Sequence, residues 1–205
     1  MVTSSSFSST TERDPLRVLA IAGSLRRGSY NRLLLEAAAE LAPDGIRVEV
    51  FDELASIPLF DEDLEAATGG GPAAVAALRE RVALADGLLI ATPEYNHSMP
   101  GVLKNVLDWL SRGDEPVLAG KPAAVVGVTG GQWGTRLAQA AVRQVLYSTG
   151  SPVLPAPAVF VRGAGERFDA AGRLTDGPTR AALERLLDAF GEWIRRVAPR
   201  EAGVR

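Results

Sequence analysis

The sequence predicts an α/β fold in three layers: a five-stranded parallel sheet, strand order 2-1-3-4-5, with helices on both faces. Three observations lead there. Apolar runs of strand length alternate with helical patterns from Arg17 onward, as crossover connections between parallel strands require. The first run, Val18-Leu19-Ala20-Ile21-Ala22, is continuously apolar, which marks a strand covered on both faces. Loops rich in glycine, proline and small polar residues follow the first, third and fourth runs. The order 2-1-3-4-5 gathers those loops in one crevice beyond the carboxyl ends of the strands, where ligands of such sheets bind.

The elements follow in order. Ala22 to Asn31 leaves the first strand and opens a helix whose Leu34, Ala37, Ala38 and Leu41 share a face. Ile46 to Phe51 alternates and ends at Asp52, a second strand nearer an edge. Leu54 to Gly71 is a long connection, of the kind that is commonly functional or covered by a partner. Within it, Asp61-Glu62-Asp63 reads as a solvated acidic segment. Pro72 suits the first position of a helix carrying Val75, Leu78 and Val82. Asp86 to Thr92 is a buried third strand that breaks at Pro93, and a loop then runs to Pro100. The helix beyond has Leu103, Val106, Leu107 and Leu110 in a stripe that, with Trp109, exceeds what one sheet face must bury.

Ala123 to Val128 is the fourth strand, followed by Thr129-Gly130-Gly131-Gln132-Trp133-Gly134 and a helix with Leu137, Ala141 and Val145 on one side. Pro152 to Val161 is interrupted by prolines and belongs at an edge. The last helix carries Leu183, Leu186, Leu187, Phe190 and Ile194 at core spacing. The expected organisation is a disordered arm over 1–15, one domain over 16–198 and a flexible tail over 199–205.

Composition narrows the chemistry. A chain of 205 residues, 46% apolar, suits one well-buried domain. A formal charge of −3 leaves no basic footprint for nucleic acid. The absence of cysteine removes disulfides, thiolate nucleophiles and iron–sulfur ligation, and one histidine, His97, cannot build a multi-histidine metal site. Redox chemistry would therefore need a bound organic cofactor. No apolar run approaches the roughly 20 residues of a membrane span. Met1 to Pro15 is Ser/Thr-rich without the basic start and apolar core of a signal peptide, so cytoplasmic residence is expected.

The first loop offers backbone N–H groups at a helix N-terminus, the hydroxyls of Ser24 and Ser29, the Asn31 amide and the guanidinium groups of Arg26 and Arg27. It lacks the Gly-Lys-Ser/Thr ending of a P-loop and the Gly-x-Gly-x-x-Gly of a dinucleotide fingerprint. The set suits a terminal phosphate monoester, while simple helix capping by Ser29 and Asn31 is the plainer alternative. The second loop reads Pro93-Glu94-Tyr95-Asn96-His97-Ser98-Met99-Pro100-Gly101 and continues through Val102-Leu103-Lys104-Asn105 to Asp108-Trp109.

With Gly-Ser-Leu-Arg-x-x-Ser-x-Asn at Gly23–Asn31 and Pro-Glu-Tyr-Asn-x-x-x-Pro-Gly-x-Leu-Lys-Asn-x-x-Asp-Trp at Pro93–Trp109, the sequence resembles the NAD(P)H-dependent FMN reductases of the flavodoxin-like superfamily. The resemblance runs from Arg17 to about Val197 and includes a Gly-Gly turn, Gly130-Gly131, after the fourth strand. It implies a flavodoxin-like sandwich with Ser24, Arg26, Ser29 and Asn31 at the FMN phosphate and Tyr30 beside them. Pro93, Glu94, Tyr95 and Asn96 would flank the isoalloxazine and ribityl groups, and Thr129, Gly130 and Gly131 would close the other side. NADPH or NADH would supply hydride, and a quinone, free flavin, azo compound, chromate or dioxygen would receive the electrons. Catalytic side chains are not needed, since the flavin carries the chemistry. A single-electron carrier of the flavodoxin type, or a non-catalytic FMN-binding protein, is the alternative; Arg26 and the mild charge speak against the carrier. The resemblance also implies a homodimer or homotetramer, with the Leu54–Gly71 connection near the partner's pocket.

Overall fold

The structure, a computed structural model, describes residues 14–114 and 116–197. Most of the expected arm and all of the expected tail lie outside the described residues. Five parallel strands, β1 (Leu16–Ala22), β2 (Ile46–Phe51), β3 (Gly87–Ala91), β4 (Ala123–Val128) and β5 (Val159–Val161), form one sheet in the order β2-β1-β3-β4-β5. Six helices accompany it: α1 (Tyr30–Glu40), α2 (Glu62–Ala67), α3 (Ala73–Leu84), α4 (Gly101–Leu110), α5 (Arg136–Ser148) and α6 (Gly177–Val197). None of them is long and apolar enough to cross a membrane.

Side-chain alternation along the buried strands divides the core in two. Val18, Ala20, Leu89, Val126 and Val128 face α1 and α6, where Leu34, Leu35, Leu183, Leu187 and Phe190 pack against them. Leu19, Ile21, Leu88, Ile90 and Val125 face α3, α4 and α5 through Leu78, Val82, Leu107, Val142 and Leu146. The inner strands are thus covered on both faces, while the edge strand β2 keeps Arg47 and Glu49 exposed, and the carboxyl edge of the sheet is left for loops.

Three departures from expectation have local causes. First, the α4 stripe leaves no surplus apolar face: Leu103, Val106, Leu107, Trp109 and Leu110 are all fully buried within the chain. The Leu54–Gly71 connection provides the cover. Asn105 accepts from Phe60 N at 2.7 Å and donates to Pro58 O at 2.8 Å, while Trp109 Nε1 donates to the same carbonyl at 2.9 Å. The Phe60 ring meets Trp109 edge-on at 4.9 Å. Second, Asp61 does more than solvate its segment, because its carboxylate accepts from Asp63 N and Leu64 N and caps α2. Arg112 then ties that helix back to α4 through Glu65 at 2.9 Å, so the acidic run is anchored.

Third, α5 is turned from the expected face. Ala138, Gln139, Val142 and Leu146 point inward, Ala141 and Val145 are half-buried, and Leu137 is 50% exposed. Two apolar stripes run side by side on this helix, and the left-handed residues Gly134 and Thr135 that precede it select the second. At the far edge, β5 keeps only three residues of the Pro152–Val161 run. Pro152, Pro155 and Pro157 lack the N–H groups that would extend the ladder.

Candidate functional site

The chain passes from β1 to β2 on one side and then returns to β3 on the other, so the sheet's switch point lies between β1 and β3. The loops after β1, β3 and β4 meet there. Ser24, Arg26, Ser29, Tyr30, Asn31, Pro93, Glu94, Tyr95, Val128, Thr129 and Gly130 line one crevice with an empty volume of about 440 Å³. A second, mainly apolar hollow shares Ser24, Arg26 and Tyr95 with it and extends along Leu25, Pro100, Gly101 and Val102. Tyr95, half exposed, stands between the two.

The first loop is ordered by its own polar groups. Ser29 caps α1, its Oγ accepting from Arg32 N at 3.4 Å, and Ser24 Oγ accepts from Arg26 N at 3.4 Å. Arg26 Nη2 donates to Gly28 O at 3.2 Å, which folds the guanidinium back over its own turn. Tyr30 begins α1 with its ring 5.3 Å from that of Phe168. Asn31 is 3% exposed, and its Nδ2 and Oδ1 pair with Val128 O at 2.9 Å and Val128 N at 3.0 Å. The amide therefore clamps the end of β4, the strand that delivers Thr129 and Gly130 to the crevice.

Glu94 links the other two walls. Its Oε2 accepts from Leu137 N at 2.9 Å and Ala138 N at 3.0 Å, across 43 and 44 residues of chain. These are N–H groups of the first turn of α5, which Thr135 does not cap with its own side chain. A carboxylate here also meets the positive end of the helix dipole. His97 is a weaker partner: its Nδ1 stands 3.9 Å from Glu94 Oε1, and the imidazole is exposed.

Two expected residues fall outside the crevice lining. Asn96 sits exposed at the tip of a two-residue hairpin, where Tyr95 and Ser98 exchange both backbone bonds at 3.0 Å. Asn96 and His97 have φ of 50° and 64°, the positive values that a type I′ turn demands. Gly131 lies one residue beyond the lining, its N–H donated to Thr129 Oγ1 at 3.2 Å. Val128 and Val102 also line the hollows, and a valine at a strand end or in a first helical turn carries no compositional signal of a site; Gly101 beside them belongs to the second motif.

Gly130 tests whether the crevice suits a bound group. Its φ is not in the left-handed region, and a Cβ added there would meet nothing within 4 Å. Gly130 is exposed, so the main chain is open to the crevice at this point. A backbone that a planar ligand can approach closely, beside Tyr95 and opposite a hydroxyl-lined helix start, fits a flavin mononucleotide.

Fold and crevice together define a mononucleotide-binding protein of the flavodoxin-like class. Residues 16–166 match the NADPH-dependent FMN reductase family, to which the chain belongs. It is 46% identical over 184 residues to an NAD(P)H-dependent FMN reductase of Pseudomonas aeruginosa, covering 90% of this chain and 98% of that one. A 2-hydroxy-1,4-benzoquinone reductase of a Burkholderia species is 38% identical, over 88% of this chain and 97% of the relative. Among solved structures, the flavoenzyme NAD(P)H:(acceptor) oxidoreductase FerB of Paracoccus denitrificans superposes with a TM-score of 0.80 at 34% identity, covering 88% of this chain and 98% of its own.

Proposed function

We propose that this chain is an FMN-dependent oxidoreductase that uses NAD(P)H to reduce a quinone or free flavin. When bound, FMN supplies the chemistry by accepting hydride from NAD(P)H and handing reducing equivalents to the acceptor. The protein's part is to hold and orient. Ser24, Arg26 and Ser29 would take the phosphate at the N-terminus of α1, with Tyr30 beside them. Pro93, Glu94 and Tyr95 would form the wall beside the ring system, with Thr129 and Gly130 opposite. Asn31 and Glu94 act by fixing the loops that make contact, and Asn96 and Gly131 stand at the rim.

The observation that carries this reading is the convergence of the loops after β1, β3 and β4 on one crevice, where the main chain at Gly130 is open to a ligand. Azo compounds, chromate and dioxygen are further acceptors that an open crevice admits. We further infer a cytoplasmic homodimer or homotetramer, in which the Leu54–Gly71 connection lies near a neighbour's pocket. Leu59 supports that arrangement: it is 81% exposed, while Pro58 and Phe60 on either side are pinned to α4.

The test is direct. The protein as purified should release FMN rather than FAD on denaturation, and after reconstitution with FMN it should oxidise NADPH or NADH when 1,4-benzoquinone or free riboflavin is added. Tight FMN binding without NAD(P)H oxidation would leave a carrier or a non-catalytic flavoprotein instead. No flavin binding at all would remove the reading.

A further inference from the structure

A second concavity lies at the opposite end of the sheet from the crevice. It lies at the amino ends of β1 and β2, beside the last turn of α3, and has an empty volume of about 710 Å³ open to solvent. Arg17, Arg47, Glu49, Arg81, Leu84 and Ala85 line it.

The parallel register sets Arg17 directly beside Arg47. Neighbouring strands lie about 4.8 Å apart, and register partners project to the same face, so the two guanidinium stems run side by side. Like charges in that relation are destabilising unless something lies between them. Among the described residues, neither guanidinium pairs with a carboxylate or donates a hydrogen bond. The carboxylates nearby are already engaged. Glu49 pairs with Arg81 at 2.6 Å, Glu53 approaches the same guanidinium at 3.6 Å, and Arg81 lies over the Phe51 ring at 5.0 Å. Asp86 accepts from the main-chain N–H of Arg17 at 2.6 Å. Lys121 donates its ammonium protons to the carbonyls of Ala83 in α3 and of Ala85 just beyond it. A rigid trench wall therefore faces two unmatched cations, and Leu84, 55% exposed, adds an apolar flank.

We propose that this trench binds the phosphoryl group of a small organic phosphate, with the oxygens between Arg17 and Arg47 and the organic part along Leu84 and Ala85. Guanidinium forks match phosphate oxygens in geometry and charge, and a dianion removes the repulsion between the paired arginines. The site is separate from the crevice, so a ligand here need not compete with FMN.

Phenyl phosphate and inorganic phosphate serve as probes, titrated calorimetrically into FMN-saturated full-length protein at ionic strength fixed with sodium chloride. Phenyl phosphate should bind one molecule per chain and more tightly than inorganic phosphate. R17Q/R47Q should weaken it at least tenfold, about what is lost with one charge-assisted hydrogen bond. FMN content and quinone reduction should be unchanged in that variant, and R26Q should leave the titration intact. If the double variant fails to fold, R47Q alone, on the edge strand β2, should weaken binding severalfold. No saturable heat with wild type, equal affinity after substitution of Arg17 and Arg47, or loss on R26Q instead would each overturn the proposal.

Discussion

Gly127 and Gly130 stand three residues apart in opposite surroundings. A Cβ on Gly127 would come within 2.0 Å of Thr135 Oγ1 and 2.5 Å of the Thr92 carbonyl, so the end of β4 is packed with no room for a methyl group. A Cβ on Gly130 would meet nothing within 4 Å. G127A should therefore destabilise the apoprotein by about 3 kcal/mol, at the upper end of the cost of overpacking. G130A should leave apoprotein stability within about 0.5 kcal/mol of wild type while FMN affinity falls at least tenfold. Urea unfolding and fluorescence titration with FMN read the two effects separately, and undiminished FMN affinity in G130A would take Gly130 out of the site. Sequence motifs marked Gly130 but could not tell it from Gly127, because the neighbours that crowd Gly127 are eight and 35 residues away. Asn31 and Glu94 were legible in the same incomplete way. Their side chains reach Val128 and the first turn of α5, and such partners follow only from the folded path of the chain.

At the scale of elements, strand identity and sheet order were readable because buried parallel strands are apolar without interruption, and each is followed by a helical period. Orientation was less so. α5 carries two adjacent apolar stripes, and two left-handed residues before it choose between them. α2 is six residues long, too short for periodicity to show, and its only strong local signal is the Asp61 cap. The start of α6 offers a further cap with a measurable consequence. Asp176 accepts from the Thr179 hydroxyl at 2.5 Å and Thr179 N at 3.0 Å, and pairs with Arg167 at 2.7 Å. The Thr179 hydroxyl foremost, then its N–H and Arg167, hold the carboxyl below its ordinary range. The folded state thus prefers the ionised form more than the unfolded chain does. The resulting stability is complete above the unfolded carboxyl pKa of about 3.9 and is lost as pH falls through the lower folded value. D176N keeps a capping oxygen but loses the charge that the Thr179 hydroxyl and Arg167 hold, and should cost about 1 kcal/mol at pH 7. Its deficit relative to wild type should shrink in denaturant titrations carried below about pH 4. An equal deficit at pH 7 and pH 3 would show that ionisation of Asp176 contributes nothing.

For the whole molecule, the question is what covers the apolar groups the fold leaves outside. The sequence suggested an interface through the stripe of α4, but that stripe is fully used against α3 and the Leu54–Gly71 connection. The exposed groups lie elsewhere: Leu137 and Tyr147 on the outer side of α5, Trp133 on the turn before it, Leu25 by the crevice and Leu59 on the connection. Tyr147 is 84% exposed and Trp133 71%, and large aromatic side chains so placed are typical anchors between subunits. The turn of α5 that gives Ala138, Val142 and Leu146 to the core is what puts Leu137 outward. A homodimer or homotetramer should appear by light scattering at micromolar concentration. Y147E, on a surface with no packing role inside the chain, should lower the mass without changing the melting profile of the separated subunit. If the wild-type mass is that of one chain, the outer face of α5 is solvent-exposed in solution, and each crevice must bind FMN without a neighbour's help.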